Sequence, residues 1–427
     1  MKASIRKAFF NSALCFFVLL LVACGPKVPK VAGPLRQDAY LWQRAWTAPV
    51  AQALTEHSSN FAEIVVLGSE IAWRDQKPHI ARAHIDYEAL RTAHCPIGIA
   101  LRVGPYSGKF SETNGAAVMV VSAAKLLVSE CASNKVDVAE LQIDFDCAAS
   151  KLSGYELWLK ALRRELGTTP LIFTALPSWL RHAEFQRLVD ASDGFVLQVH
   201  SLERPKDANT PFTLCDPKAA QVAVERAARF GKSFRVALPT YGYTIAFDRE
   251  KHFIGLSAEG PERAWPEGTI IREARADPDE MAALVRDWSR SRPTTLSGII
   301  WYRLPVAGDV LNWSWPALAA VMAGRNPAEH IRVKTIRPSS GLIEIVLLND
   351  GEKSARVLPS LRLRWEKTRL IAADALAGYS LEKQGGNSAE LISRTPSELR
   401  PGEKRKIGWL RLSASEPIFS IEEYSRT

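Results

Sequence analysis

The 427-residue chain lacks the spacings that gather a metal ion. It has no H-x-H, no H-E-x-x-H and no paired C-x-x-C, so zinc-finger and zinc-protease architectures are excluded, and neither a metal nor a cofactor is expected. It also lacks a helix-turn-helix or an aromatic-basic stripe, and its cations are scattered among acids, which argues against a nucleic-acid partner. Charge of one sign is modest. The formal value is +9, and removing the three cations Lys2, Arg6 and Lys7 leaves +6 for the rest. Long apolar runs are scarce as well, since the stretch from Ala13 to Ala23 is too short to span a bilayer comfortably.

That short run has a reading of its own. Three cations precede it and Leu21-Val22-Ala23-Cys24 ends it, the order of a secretory leader closed by a sequence that looks like a bacterial lipobox. Residues 1–23 would be removed and Cys24 would carry the acyl chains; two or more chains anchor stably where one does not. Gly25 rather than Asp follows the cysteine, as in lipoproteins sorted to the outer membrane, so the expected location is the cell envelope, lipid-anchored and facing the periplasm. A Pro/Gly-rich tether then covers residues 24–36.

Cysteine is sparse, six residues in all. Cys15 lies in the leader and Cys24 takes the lipid, leaving Cys95, Cys131, Cys147 and Cys215. In an oxidising compartment they either pair, as Cys95–Cys131 and Cys147–Cys215, or stay as buried thiols.

Strand-like and helix-like patterns alternate across residues 37–325. Strands are expected at 40–46, 63–68, 97–103, 140–146, 171–176, 194–200, 234–239 and 298–304, with helical patterns between several of them and a closing helix at 316–323. Eight such units argue for an α/β fold, a (β/α)8 TIM-like barrel, with an open doubly wound sheet as the alternative. From residue 331 to 427 the texture changes to short alternating runs separated by turns such as Asn349-Asp350-Gly351, the pattern of a small β-sandwich. It is read as an accessory module, able to bind a protein partner or simply to support the barrel.

One expected strand is unusual. In Glu140-Leu-Gln-Ile-Asp-Phe-Asp146, period-two alternation puts Leu141, Ile143 and Phe145 on one face and Gln142, Asp144 and Asp146 on the other. Burying two carboxylates without partners costs several kcal/mol, on the order of a polar-burial penalty, so the pair either lines a ligand cleft or sits in a hydrogen-bonded structural network. The backbones of Asp144 and Asp146 lie roughly 6 to 7 Å apart on strand geometry. Barrel sites form at the C-terminal ends of strands. That rule gathers Trp46, Glu70, Arg102, Asp144, Asp146, Gln198, His200, Tyr241, Tyr243, Trp301 and Arg303, with Gln142 beside the acids. Acids, amides and guanidinium groups among aromatic rings suit the hydroxyls and apolar ring faces of a sugar. Each member also has a plainer role open to it: core packing for Trp301 or Tyr241, neutralisation of Asp144 for Arg102, a structural histidine for His200.

Several segments, Tyr40-Leu-Trp-Gln-Arg-Ala-Trp46, Gln142-Ile-Asp-Phe-Asp146, Phe173-Thr-Ala-Leu-Pro-Ser-Trp179, Gln198-Val-His-Ser201 and Gly298-Ile-Ile-Trp-Tyr-Arg-Leu-Pro305, together resemble the bacterial domain of unknown function 3142. A more distant resemblance is to the family 18 glycoside hydrolases. Asp144 and Asp146 match the second and third aspartates of that family's D-x-x-D-x-D-x-E signature, Pro239-Thr-Tyr-Gly242 matches its seventh-strand segment, and Trp301 matches its substrate-floor tryptophan. The chain departs from it at Leu141, at Val199-His200 and at Ala148, which stands where the acid glutamate belongs. Alanine cannot protonate a leaving group. The expectations are therefore a carbohydrate-binding barrel, a glycoside hydrolase of unusual chemistry using Asp144 and Asp146 with Glu70 or Glu203 opposite, or a non-enzymatic envelope scaffold.

Overall fold

The computed structural model describes residues 28–74, 77–201, 205–257 and 264–423; the expected leader, Cys24 and Glu203 lie outside them. Among the described residues, eight parallel strands close into a barrel: β1 Arg36–Leu41, β2 Glu63–Arg74, β3 Ile97–Val103, β4 Val138–Asp144, β5 Leu171–Ala175, β6 Gly194–Gln198, β7 Phe234–Pro239 and β8 Leu296–Tyr302. Each pairs with its neighbours in sequence, and β1 closes the ring between β8 and β2. The helix after each strand takes the same number: α1 Ala48–His57, α2 Tyr87–Arg91, α3 Gly115–Ser133, α4 Leu152–Glu165, α5 Glu184–Asp190, α6 Pro217–Ala227, α7 Pro278–Arg290 and α8 Trp315–Met322.

Local chemistry sets these boundaries. Asp216 and Asp277 each precede a proline and accept hydrogen bonds from the two backbone amides beyond it, so α6 and α7 start with a cap and a preset φ. Strand alternation does the rest. Leu141, Ile143, Phe173, Phe195 and Trp301 face outward into the large core under the helices. Tyr40, Trp42, Val65, Ala100, Ile172, Val196, Ala237 and Ile300 fill the lumen. Full burial of each large apolar side chain contributes roughly 1.5–3 kcal/mol.

The base of the lumen is ionic. Arg235 on β7 donates to Asp38 at 2.9 Å and also contacts Glu140, while Arg36 donates to Asp38 at 2.9 Å and to Glu63 at 2.5 Å. Gly98 makes the room, since a Cβ there would lie 2.7 Å from Glu63 Oε1. Above this layer Gln142 donates to Glu140 at 2.5 Å and accepts from the Tyr40 hydroxyl at 2.6 Å.

Part of the segment expected as a tether is held to the barrel. Lys30–Val31 pairs with Arg292–Pro293 just before β8, Thr294 donates its amide to Pro29, and Arg292 donates to the Gly33 carbonyl at 2.6 Å. The chain is therefore strapped across the N-terminal end of the barrel from Pro29 onward. A three-stranded antiparallel sheet, Gly242–Phe247, Phe253–Ser257 and Ile270–Arg275, is inserted between β7 and α7.

The C-terminal module contains β9 Ile331–Ser339, β10 Leu342–Asn349, β11 Ser360–Glu366, β12 Leu370–Ala375, β13 Tyr379–Gln384, β14 Ser388–Ser393, β15 Lys404–Leu412 and β16 Ile418–Glu423. They form two four-stranded antiparallel sheets, in the orders β9-β10-β15-β12 and β13-β14-β11-β16, around a shared core that includes Ile345, Leu363, Trp365, Leu391 and Leu410. Glu352 takes the Arg325 guanidinium on both oxygens at 2.6 Å, and Lys353 reaches Asp279 at the start of α7 at 2.6 Å, tying module to barrel.

Cys95, Cys131, Cys147 and Cys215 are all free thiols, so neither expected bridge is present. Burial pushes the Cys95 and Cys131 thiols up to about 11 and those of Cys147 and Cys215 up to about 12, leaving inert protonated groups.

Candidate active site at the barrel mouth

The C-terminal ends of the strands surround a cavity of about 210 Å³. Its acidic wall comes from β3, β4 and β5. Asp144 ends β4, accepts from the Thr174 hydroxyl at 2.8 Å and lies 3.8 Å from the Arg102 guanidinium. Burial still dominates over these partners and holds its carboxyl above the usual range. Asp146 follows at the rim. Partial loss of hydration, with the Asp144 charge beside it, lifts its carboxyl to about 6. Two carboxyls sharing one mouth oppose each other's ionisation, so the pair keeps a proton to higher pH than an isolated carboxyl does.

The opposite wall is aromatic. Tyr302, at the end of β8, stacks on His200 with ring centres 5.4 Å apart and an interplanar angle of 25°. Tyr241 meets Tyr302 edge-on at 5.3 Å, and Trp42 does so at 5.5 Å. His200 is 2% exposed, and desolvation lowers its pKa to about 3. Its neutral Nδ1 lies 3.4 Å from the Tyr241 hydroxyl, and its Nε2 is buried without a hydrogen-bond partner. Tyr241 in turn donates to Tyr243 at 3.3 Å. Gln198 and Ser201 complete the lining.

Seven of the residues expected from sequence meet here: Arg102, Asp144, Asp146, Gln198, His200, Tyr241 and Tyr243. The others have different surroundings. Trp301 is fully buried in the outer core, its indole N–H held by Gln37 at 2.8 Å, so it is no platform. Arg303 is buried against Asp309. Both errors are one error of phase, because Tyr302 is the residue whose side chain enters the mouth. Trp46 packs half-buried on the outer core, since β1 ends at Leu41. Glu70 is gripped by Arg44 at 2.6 Å and approached by Arg102 at 3.4 Å, outside the cavity lining. Gln142 lies in the lumen beneath the cavity, bound to Glu140 and Tyr40. The sequence reading missed Tyr40, Trp42, Thr174 and Tyr302 as lining residues. A signal for two of them was present: Tyr40 and Trp42 share the phase of Asp38, so a strand begun at Arg36 aims all three inward.

A larger cleft, about 730 Å³, lies between the barrel and the C-terminal module and is lined by Trp313, Trp315, Asp277 and Lys353 among others. Asp144 and Asp146, both raised, and a buried histidine whose Nε2 has no hydrogen-bond partner lie in the smaller mouth, which is the better candidate for chemistry. Among the described residues no three His, Cys, Asp or Glu side chains converge as a metal site requires.

The chain is similar in structure to the spore cortex-lytic enzyme SleL of Bacillus megaterium, at 10% identity and a TM-score of 0.48 over 69% of this chain and 75% of that one. It is similar to a chitinase of Chromobacterium violaceum at 15% identity and a TM-score of 0.43, over 68% and 98% of the two chains. A family 18 chitinase of Flavobacterium johnsoniae gives 12% and 0.41, over 64% and 89%. No curated protein matches the sequence. Residues 332–413, within the sandwich, match the domain of unknown function 8456. Residues 100–307, from within β3 to the loop after β8, match the domain of unknown function 3142.

Proposed function

We propose that the barrel mouth binds a carbohydrate, one sugar ring deep, on a protein held to the cell envelope by acyl chains on Cys24. One observation carries the binding reading: paired carboxyls and a guanidinium face a cluster of aromatic rings across a 210 Å³ cavity. Cavities for drug-sized ligands usually measure roughly 300–1,000 Å³, so this one suits a single small ring with several hydroxyls. Asp144, Asp146, Arg102 and Gln198 supply directional partners for hydroxyls, and Tyr302 and Trp42 supply apolar faces. The leader sequence and Gly25 support placement at the outer membrane, facing the periplasm. The C-terminal sandwich, with no comparable acid-aromatic cluster among its described residues, is assigned to support of the barrel or to a protein partner. The test is a glycan-binding screen with the soluble chain beginning at Gly25, in which Tyr302→Ala lowers affinity at least tenfold. Binding that Tyr302→Ala leaves unchanged would remove the assignment.

A second reading, glycoside hydrolysis, is favoured by the Asp146 carboxyl raised to about 6. A carboxyl that keeps its proton can donate it to a leaving oxygen in place of the glutamate that Ala148 replaces. Because the raised group is protonated below about 6 and ionised above it, release of reducing ends should fall as pH rises through that value. Asp146→Asn should abolish release while leaving the circular dichroism spectrum intact.

A further inference from the structure

We infer that the protein stands on the bilayer on the N-terminal end of its barrel, with the mouth opening away from the lipid surface that anchors it. The inference rests on the acylation of Cys24 proposed above and adds the orientation. Its first support is the strap. Pro29 is bonded to Thr294 and Lys30–Val31 to Arg292–Pro293, at the N-terminal end of β8, and Lys30 pairs with Glu225 near the end of α6. The four residue steps from Cys24 to Val28 span at most roughly 14 Å fully extended. The point of exit from the fold is thus held within one short reach of the acyl chains.

That end carries exposed cations, set among acids such as Glu225 and Asp287. Arg226 and Arg229 at the end of α6 and Arg290 at the end of α7 are all exposed beside the strap. Each such cation near an anionic leaflet adds attraction that fades within a Debye length of the surface. The mouth lies at the other end of the helices. With α3 running 19 residues, that end stands roughly 28 Å further from the lipid at 1.5 Å per residue. A glycan reaching the mouth therefore comes from the aqueous side of the compartment, and head groups of the anchoring leaflet are out of reach. The rival posture uses the side of the barrel, where Ile80, Val118 and Leu126 expose an apolar strip on and beside α3.

The experiment uses the full acylated chain in phosphatidylcholine–phosphatidylglycerol vesicles containing a nitroxide-head-group lipid. The half-buried Cys95 is changed to serine, and a fluorophore is placed in turn at Ser233→Cys at the N-terminal end, Ser107→Cys at the mouth and Ser122→Cys on the α3 side. Quenching several-fold stronger at Ser233 than at the other two sites is expected. Strongest quenching at Ser122 means the barrel lies on its side, strongest at Ser107 means the mouth faces the lipid, and equal quenching means no fixed posture; each overturns the inference. Mass spectrometry of the N-terminal peptide separates the two levels. An unacylated Cys24 removes the anchor reading and the orientation with it, whereas an acylated chain with the wrong quenching order removes the orientation alone.

Discussion

Tyr302 and Trp301 are adjacent and have opposite tasks. The tyrosine ring forms part of the mouth, stacked on His200, and the tryptophan is buried under the helices with its N–H on Gln37. Trp301→Ala should cost about 3–5 kcal/mol of stability through the cavity it leaves, read from urea denaturation, while any loss of glycan affinity should track the unfolded fraction. Tyr302→Ala should lower affinity with little change in the denaturation midpoint. The opposite pattern would mean that the β8 phase is wrong. His200 is neutral throughout the physiological range, because burial lowers its pKa to about 3, so pH effects on the mouth between 5 and 8 belong to the carboxyls. Asp146, raised to about 6, titrates within that window.

At the level of elements, β4 joins two kinds of acid site in one strand. Its Asp144 serves the mouth, and its Glu140 serves the ionic base with Arg235, Asp38 and Glu63. Burial, reinforced by Glu140 and Asp38 and opposed by Arg235 and Arg36, raises Glu63 to about 8. The folded state then binds a proton that the unfolded state releases near the ordinary glutamate value, so stability contributed here falls as pH rises from about 4.5 to about 8. Glu63→Gln should flatten that slope and raise the melting temperature at pH 9 relative to the parent; an unchanged pH dependence would show that Glu63 is ionised in the fold. The strands were readable because most are short apolar blocks bounded by turns, and Ile97–Val103 and Phe234–Pro239 fall where the pattern puts them. Strand phase was less readable. At β8, Ile299, Ile300, Trp301 and Tyr302 are all apolar or aromatic, so alternation carries no sign of which face looks inward. At β4 the polar and apolar faces differ, and Asp144 was placed correctly for that reason.

For the molecule as a whole, division into a barrel and a sandwich was visible in the change of texture near residue 331, although strands at 370–375, 379–384, 388–393 and 418–423 were too mixed in pattern to be read. Cysteine pairing was not legible, since an even count says nothing about partner geometry. Docking of the two units depends on few side chains, with Glu352 holding both Arg325 and the Ala328 amide. Glu352→Gln should speed tryptic cleavage after Arg325 several-fold under native conditions, and an unchanged rate would show that other contacts hold the module. The central claim is that the mouth recognises a sugar through its acids and its tyrosine. It is tested most directly by one glycan screen of the soluble chain, reading bound ligand and released reducing ends in the same wells, with Asp144→Asn, Asp146→Asn and Tyr302→Ala alongside. Binding should fall at least tenfold in Tyr302→Ala and weaken in both acid variants. A folded protein that binds no glycan, or whose binding ignores all three substitutions, would contradict it.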